Sequence, residues 1–220
     1  MLNKSKGNMY PFVTHTWNTI KGRCPHDCNY CFMKRWGEQK ETHFDERELK
    51  TDLGTGNFIF VGSSCDMWAR DVPDIWIVKT IEYALGFKNK YLFQTKNPNR
   101  YFDFRIYYPG NITIGTTIET NRIYPQMGHT PPPHERAKYL NRLFGKVPVM
   151  VTIEPIMNFD LGVLAGLVRL CQPEWVNIGA DSGGHKLPEP SLRKVKDLIS
   201  ELMKFTEVKI KKNLKRIIGG

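Results

Sequence analysis

Short apolar runs alternate with longer amphipathic or polar stretches along most of the chain. Residues 57–62 form a continuous apolar run of the kind found in a strand covered on both faces. Residues 91–96, 111–117, 149–153 and 175–179 also read as strands, and β-forming residues at 12–18 mark an earlier one. Between them lie helical signals. Pro73 opens a helix in which Ile75, Val78, Ile81, Ala84 and Leu85 form one stripe, with Asp71 and Asp74 suited to its N-terminal end. A short helix is expected near 98–106, one at 134–144 after three prolines, an apolar one at 161–170 and another at about 190–205, with a terminal strand at 208–210. Residues 1–9 read as a loose lead-in, and 32–50 as a helix plus an exposed connection.

Six β–α units in succession imply an α/β fold with a parallel sheet. At 220 residues the expected architecture is a partial (β/α)6 TIM-type barrel, with a cysteine loop after the first strand. Ligands of such sheets gather at the C-terminal strand ends. Polar clusters fall there: Ser63, Ser64, Cys65 and Asp66 after the second strand, then Lys96, Glu119, Glu154 and Asp181 after those that follow.

Composition narrows the class. With 40% hydrophobic residues the chain can bury one substantial core, so residues 1–220 are expected as a single domain with a basic segment at 207–220. No apolar run reaches membrane-spanning length and the N-terminus has no signal-peptide pattern, which predicts a cytoplasmic protein without a membrane partner. A net charge of +10 favours an anionic partner such as nucleic acid, and Lys209, Lys211, Lys212, Lys215 and Arg216 would meet its phosphates.

Chemistry concentrates in Arg23–Phe32. Cys24, Cys28 and Cys31 are spaced C-x3-C-x2-C, and core packing would not cluster three cysteines so tightly. A loop with three thiolates suits a metal centre. Zinc favours four protein ligands, whereas three suit an iron–sulfur cluster with one iron left open. The competing expectation is a structural zinc loop in a binding module, completed by His26 or a distant histidine. His26 itself is expected to be exposed, and Cys171, in an apolar helix, to lie in the core.

With Tyr30 in the aromatic slot, the triplet resembles the signature of the radical S-adenosylmethionine (SAM) superfamily, C-x3-C-x-aromatic-C. The wider pattern narrows this. Thr16-Trp17-Asn18, Gly62-Ser63-Ser64-Cys65-Asp66, Val72-Pro73-Asp74, Thr95-Lys96-Asn97-Pro98 and Ile153-Glu154-Pro155 resemble a small family of phages, bacteria and archaea related to spore photoproduct lyase. The chain departs from that family at Gly179-Ala180-Asp181-Ser182-Gly183, where Gly-Gly-Glu-Ser-Gly is usual, and it lacks the family's aromatic ending.

The resemblance implies a 4Fe–4S cluster on Cys24, Cys28 and Cys31, with SAM on the fourth iron and a reductant such as flavodoxin or ferredoxin. It also implies that Tyr30 packs near the adenine and that Ser63, Ser64 or Asp66 meets the SAM amino group. Lys96 would pair with the SAM carboxylate. Glu119 would hold the ribose hydroxyls or cap the next segment, and Glu154 would bond cofactor or substrate. Cys65, at a strand end outside the triplet, is the candidate hydrogen-atom donor. The expected activity is reductive SAM cleavage to a radical that abstracts hydrogen from a nucleic-acid or nucleotide-derived substrate, in photoproduct repair or in base or sugar modification. Radical chemistry on a peptide or small metabolite is the alternative.

Overall fold

The computed structural model describes residues 1–104, 111–143 and 145–219. Its main sheet has eight strands. In chain order these are β1 (Asn3–Lys4), β2 (His15–Trp17), β5 (Phe58–Val61), β6 (Lys90–Thr95), β7 (Ile112–Thr117), β8 (Val149–Ile153), β9 (Trp175–Ile178) and β10 (Glu207–Ile210). Spatial order follows chain order, and every pairing is parallel except that of β1 with β2. A separate antiparallel pair, β3 (Ile20–Lys21) with β4 (His43–Phe44), stands beside the cysteine loop. The helices are α1 (Asp74–Leu85), α2 (Pro133–Asn141), α3 (Leu161–Cys171), α4 (Leu192–Leu202) and α5 (Lys215–Ile218).

The expected α/β fold and mostly parallel strands are present. Alternate strand residues such as Ile59, Val61, Phe93, Ile114, Val151 and Ile178 belong to the large core that also holds the buried faces of α1 to α4. The opposite face carries Phe58, Phe60, Leu92, Met150 and Trp175, and is filled by Tyr10 and Val13. Phe12 is 5.0 Å from the Phe58 ring on β5 and 5.4 Å from the Trp175 ring on β9. In a flat sheet those strands would stand about 19 Å apart at ~4.8 Å per spacing. One ring can touch both only if the sheet curves, as in a partial TIM-type barrel. Tyr10 bridges the concave side, its hydroxyl 2.7 Å from Gln94 Oε1 on β6 and 2.8 Å from Thr152 Oγ1 on β8.

Several local expectations are corrected. The N-terminal residues are not loose, since Asn3 and Lys4 pair with Thr16 and His15, and residues 10–13 line the concave face. Stretch 32–50 forms two 3-10 turns, Phe32–Trp36 and Glu46–Lys50, around β4 rather than a helix. Phe32, Lys34, Arg35 and Trp36 are all exposed, so no face is buried there to support an α-helix. The expected helix near 98–106 is a 3-10 turn at Pro98–Phe102. Its residues 105 and 106, residue 144 of the expected 134–144 helix, and residue 220 of the basic segment lie outside the described residues.

Candidate active site

Strands β5 to β9 run parallel in nearly matched register, so the residues after them share one edge of the barrel. The cysteine loop lies along this edge. Its turns are closed by Asp27 N–H to Cys24 O at 3.0 Å and Cys31 N–H to Cys28 O at 3.1 Å. Its flank is a second backbone. Asn29 N–H donates to Gln126 O and His129 N–H to His26 O. Gly128 lies between these contacts at φ 64°, and a Cβ there would stand 2.1 Å from His26 O. No other residue permits that approach.

His26, expected on the surface, is buried at 4% exposure. Its Nε2 lies 2.9 Å from Asp66 Oδ2. Asp66 also accepts from Thr95 Oγ1 at 2.8 Å, Lys96 N–H at 2.9 Å and Trp68 N–H at 3.0 Å. One carboxylate therefore ties the cysteine loop to the ends of β5 and β6. Burial opposes the Asp66 charge, but the His26 cation and these donors outweigh it and hold its pKa low. Burial likewise opposes charging of His26, and the Asp66 carboxylate overrides this to raise its pKa.

The thiols differ. Cys28 is buried and donates to Met127 O at 3.3 Å; Cys24 and Cys31 are half-buried. The neighbouring Cys65 thiol holds Cys24 below the ordinary thiol value, while Cys24 and burial push Cys65 far up. Burial raises Cys28 to about 11. Cys65 is thus packed against a cysteine of the triplet. Ser63 Oγ and Ser64 N–H both donate to Asn18 Oδ1, at 3.2 and 3.0 Å.

Glu119 is fully buried after β7. Arg136 Nη1 donates to its Oε2 at 2.7 Å, Tyr30 donates from its hydroxyl at 2.5 Å, and Lys96 makes an ion pair with the same Oε1. Lys96 Nζ also stands 5.1 Å from the centre of the Tyr30 ring. Burial works against the charge of Glu119, yet Arg136 and Lys96 overcome it and hold the carboxyl well below the ordinary range. The structure therefore joins Tyr30, Lys96 and Glu119, three candidates far apart in sequence, in one web. Arg136 was not among the candidates. Its signal is positional: with Pro133, Ala137 and Leu140 it occupies the buried stripe of α2, where a cation needs a buried partner.

Glu154 is occupied from both chain ends. It accepts from Asn8 at 2.7 Å, Asn213 at 2.8 Å and Lys211 at 2.5 Å. Gly179 faces it so closely that a Cβ would lie 2.5 Å from Glu154 Oε1. Asp181 accepts from Gly183 N–H at 2.9 Å and pairs with His185 Nδ1 at 2.6 Å. Three cations of the basic C-terminal run are correspondingly engaged: Lys211 with Glu154, Arg216 with Glu189, and Lys209 with Glu207 at 3.3 Å.

No protein-family model matches the sequence, and neither does any curated protein. Solved structures do match. A spore photoproduct lyase mutant with bound AdoMet and dinucleoside spore photoproduct aligns at a TM-score of 0.65 and 11% identity, covering 97% of this chain and 77% of that one. The chain has a radical SAM-related fold. A second mutant of the lyase gives 0.66 at 11% identity, over 93% and 78% of the two chains. The lyase complexed with dinucleoside spore photoproduct gives 0.60 at 12%, over 90% and 64%. At such identities the likeness is one of fold.

The donor chemistry fits an iron–sulfur cluster. Cys24, Cys28 and Cys31 are free thiols on one loop at the strand-end edge, held by backbone and by the Asp66–His26 contact. Among the described residues no group of three or more His, Cys, Asp and Glu side chains is placed to hold a single metal ion. Among them, too, no helix is long and apolar enough to cross a membrane.

Proposed function

We propose that this chain is a radical SAM enzyme acting on a nucleic-acid-derived substrate, with Cys24, Cys28 and Cys31 holding a 4Fe–4S cluster. The observation that carries this reading is the presentation of three free thiols on one braced loop, at the strand-end edge of a radical SAM-related fold. When bound, the cluster and SAM supply reductive cleavage of SAM to a 5′-deoxyadenosyl radical, which takes hydrogen from the substrate.

The protein's own part is positional. Asp66 and His26 fix the loop that bears the thiols. Ser63 and Ser64, at the end of β5, would meet the SAM amino group. Lys96 would pair with the SAM carboxylate, and Arg136 and Tyr30 would still keep Glu119 paired. Glu119 would hold the ribose hydroxyls, and Tyr30 would pack near the adenine. Glu154, held by Lys211 and Asn213 at the end of β8, would bond the cofactor or the substrate. Cys65, kept protonated, is the nearest thiol to the loop and the candidate hydrogen donor. A nucleic-acid substrate is favoured by the dinucleoside spore photoproduct held by the lyase in its complexes. The compartment fitting this chemistry is the reducing cytoplasm, with a flavodoxin- or ferredoxin-like protein as reductant.

The test is anaerobic reconstitution with iron and sulfide, then reduction in the presence of SAM and ultraviolet-irradiated DNA, undamaged DNA or RNA. An iron–sulfur chromophore, 5′-deoxyadenosine and a changed nucleotide are the expected results. A colourless zinc protein would instead establish the structural metal loop, and SAM cleavage unaffected by every nucleic acid would shift the substrate to a peptide or small metabolite.

A further inference from the structure

The turn that follows the cysteine loop carries a surface feature that the function above does not use. Phe32 and Trp36 are 42% and 61% exposed, in a protein whose Trp17 and Trp68 are fully buried. Their rings meet edge to face with centroids 5.9 Å apart. Arg35 lies over both, its guanidinium carbon 4.7 Å from the Trp36 centroid and 5.6 Å from that of Phe32. Its Nε donates to Phe32 O at 3.0 Å, which fixes the arrangement. Among the described residues Arg35 has no carboxylate partner. Between Arg23 and Lys40 four cations accompany two carboxylates, one of which, Asp27, pairs with Arg23 and Lys34.

Two exposed rings set edge to face beneath one guanidinium put aromatic surface and a cation side by side. Nucleobases stack on such rings while the cation meets the phosphate between them. Distance supports the same occupant. The turn begins at the residue after Cys31, and five residues of 3-10 helix rise about 10 Å. At ~3.4 Å per nucleotide in a stacked strand, a base on Trp36 lies about three nucleotides from the loop. By contrast, Lys209, Lys211 and Arg216 of the basic C-terminal run are paired internally.

We infer that Phe32, Arg35 and Trp36 form a stacking platform for a single-stranded or locally unpaired nucleic acid, holding nucleotides that flank the one delivered to the cysteine loop. This inference rests on the nucleic-acid reading of the function. It places the contact beside the thiols and away from the C-terminal run.

The experiment uses the full, reconstituted chain and a fluorescein-labelled single-stranded oligonucleotide of about 12 nucleotides, read by anisotropy. Replacing Phe32 and Trp36 together with Ala should weaken binding by about 5- to 150-fold for each stacked base. Trp36→Phe, which keeps a ring, should bind close to wild type. Arg35→Gln should reduce the slope of log affinity against log salt by about one. Thermal midpoints of all three should stay near wild type, because both rings are already solvent-facing. Equal binding by the double variant overturns the platform, as does failure of wild type to bind any oligonucleotide. A double variant that binds DNA normally but accepts electrons poorly from an acidic donor protein overturns it too, and makes the patch a reductant surface. Wild-type SAM cleavage without nucleic acid is scored separately. If it is absent, the enzyme reading fails, whereas cleavage with undiminished binding by the double variant removes only the platform.

Discussion

The carboxylate of Glu119 and the guanidinium of Arg136 meet at 2.7 Å with neither side chain exposed to solvent. Arg136 is otherwise bonded to Thr117 O at 2.9 Å, Pro131 O at 2.6 Å and Thr130 Oγ1 at 2.5 Å, so its cation has one carboxylate partner and three neutral acceptors. Glu119 in turn accepts from Tyr30 and Lys96. The pair thus anchors α2 and, through Tyr30, the cysteine loop to the end of β7.

Removing one member strands the other's charge. Glu119→Gln or Arg136→Met should cost about 3–5 kcal/mol, since breaking a buried pair leaves an uncompensated ion. Urea denaturation measures this, and a loss under 1 kcal/mol would show that the pair does not anchor the fold. The acid limb carries a second signature. Glu119 is held below its unfolded value, so its stabilisation is complete above pH ~4.3 and is lost as pH falls through the lowered folded value. The stability gap between wild type and Glu119→Gln should therefore narrow below about pH 4.

Gly128 offers a test of the loop's backbone support. An alanine there would need φ 64° with ψ −140°, a region nearly closed to side chains, and its Cβ would strike His26 O. Gly128→Ala should destabilise the protein by about 2–5 kcal/mol and speed labelling of Cys28 by a thiol reagent. Labelling at the wild-type rate would mean that the loop holds its place without this contact.

How much of this was legible beforehand depended on range. The strands at 57–62, 91–96, 111–117, 149–153 and 175–179 were readable because a strand covered on both faces writes a continuous apolar run. The cysteine triplet was readable because its spacing is local. Arg136 was not, since its partner Glu119 is 17 residues away and only the closed fold brings them together. His26, between Cys24 and Cys28, looked exposed, yet Asp66, 40 residues on, gives it a buried partner. The pairing of Lys209, Lys211 and Arg216 was hidden for the same reason. Charge is visible in a sequence, whereas its neutralisation by Glu154 or Glu189 is not.

Lys211 turns that last point into a measurement. Its side chain is 9% exposed and its ammonium bonds Glu154. Lys211→Met should lower stability by about 1.5–3 kcal/mol, the range of a hydrogen bond to a charged group. Exposed Lys212→Gln with Lys215→Gln should leave stability within about 0.5 kcal/mol of wild type. If Lys211→Met leaves the thermal midpoint unmoved while oligonucleotide affinity collapses, the C-terminal run is a binding surface after all.

Cys65 separates two chemistries. Cys65 is 2% exposed and its thiol neighbours that of Cys24, so it adjoins the thiol triplet rather than standing apart from it. A lyase-type reaction removes a hydrogen atom, breaks a bond in the substrate and must return a hydrogen atom, for which a thiol is the best-suited side chain. If Cys65 is that donor, Cys65→Ala should still form 5′-deoxyadenosine and consume substrate, but the substrate radical would be quenched from elsewhere. With solvent deuterated, the wild-type product would carry deuterium from the exchangeable thiol, and the variant would give altered products. If instead Cys65 serves only to hydrogen-bond Cys24, the product is unchanged, and the variant differs in the reduction potential of the reconstituted protein. Replacement by Ser discriminates further, because a hydroxyl keeps a hydrogen bond to sulfur while its O–H bond is too strong to donate a hydrogen atom. Normal product from Cys65→Ser and Cys65→Ala alike would end the donor role and favour modification chemistry over repair.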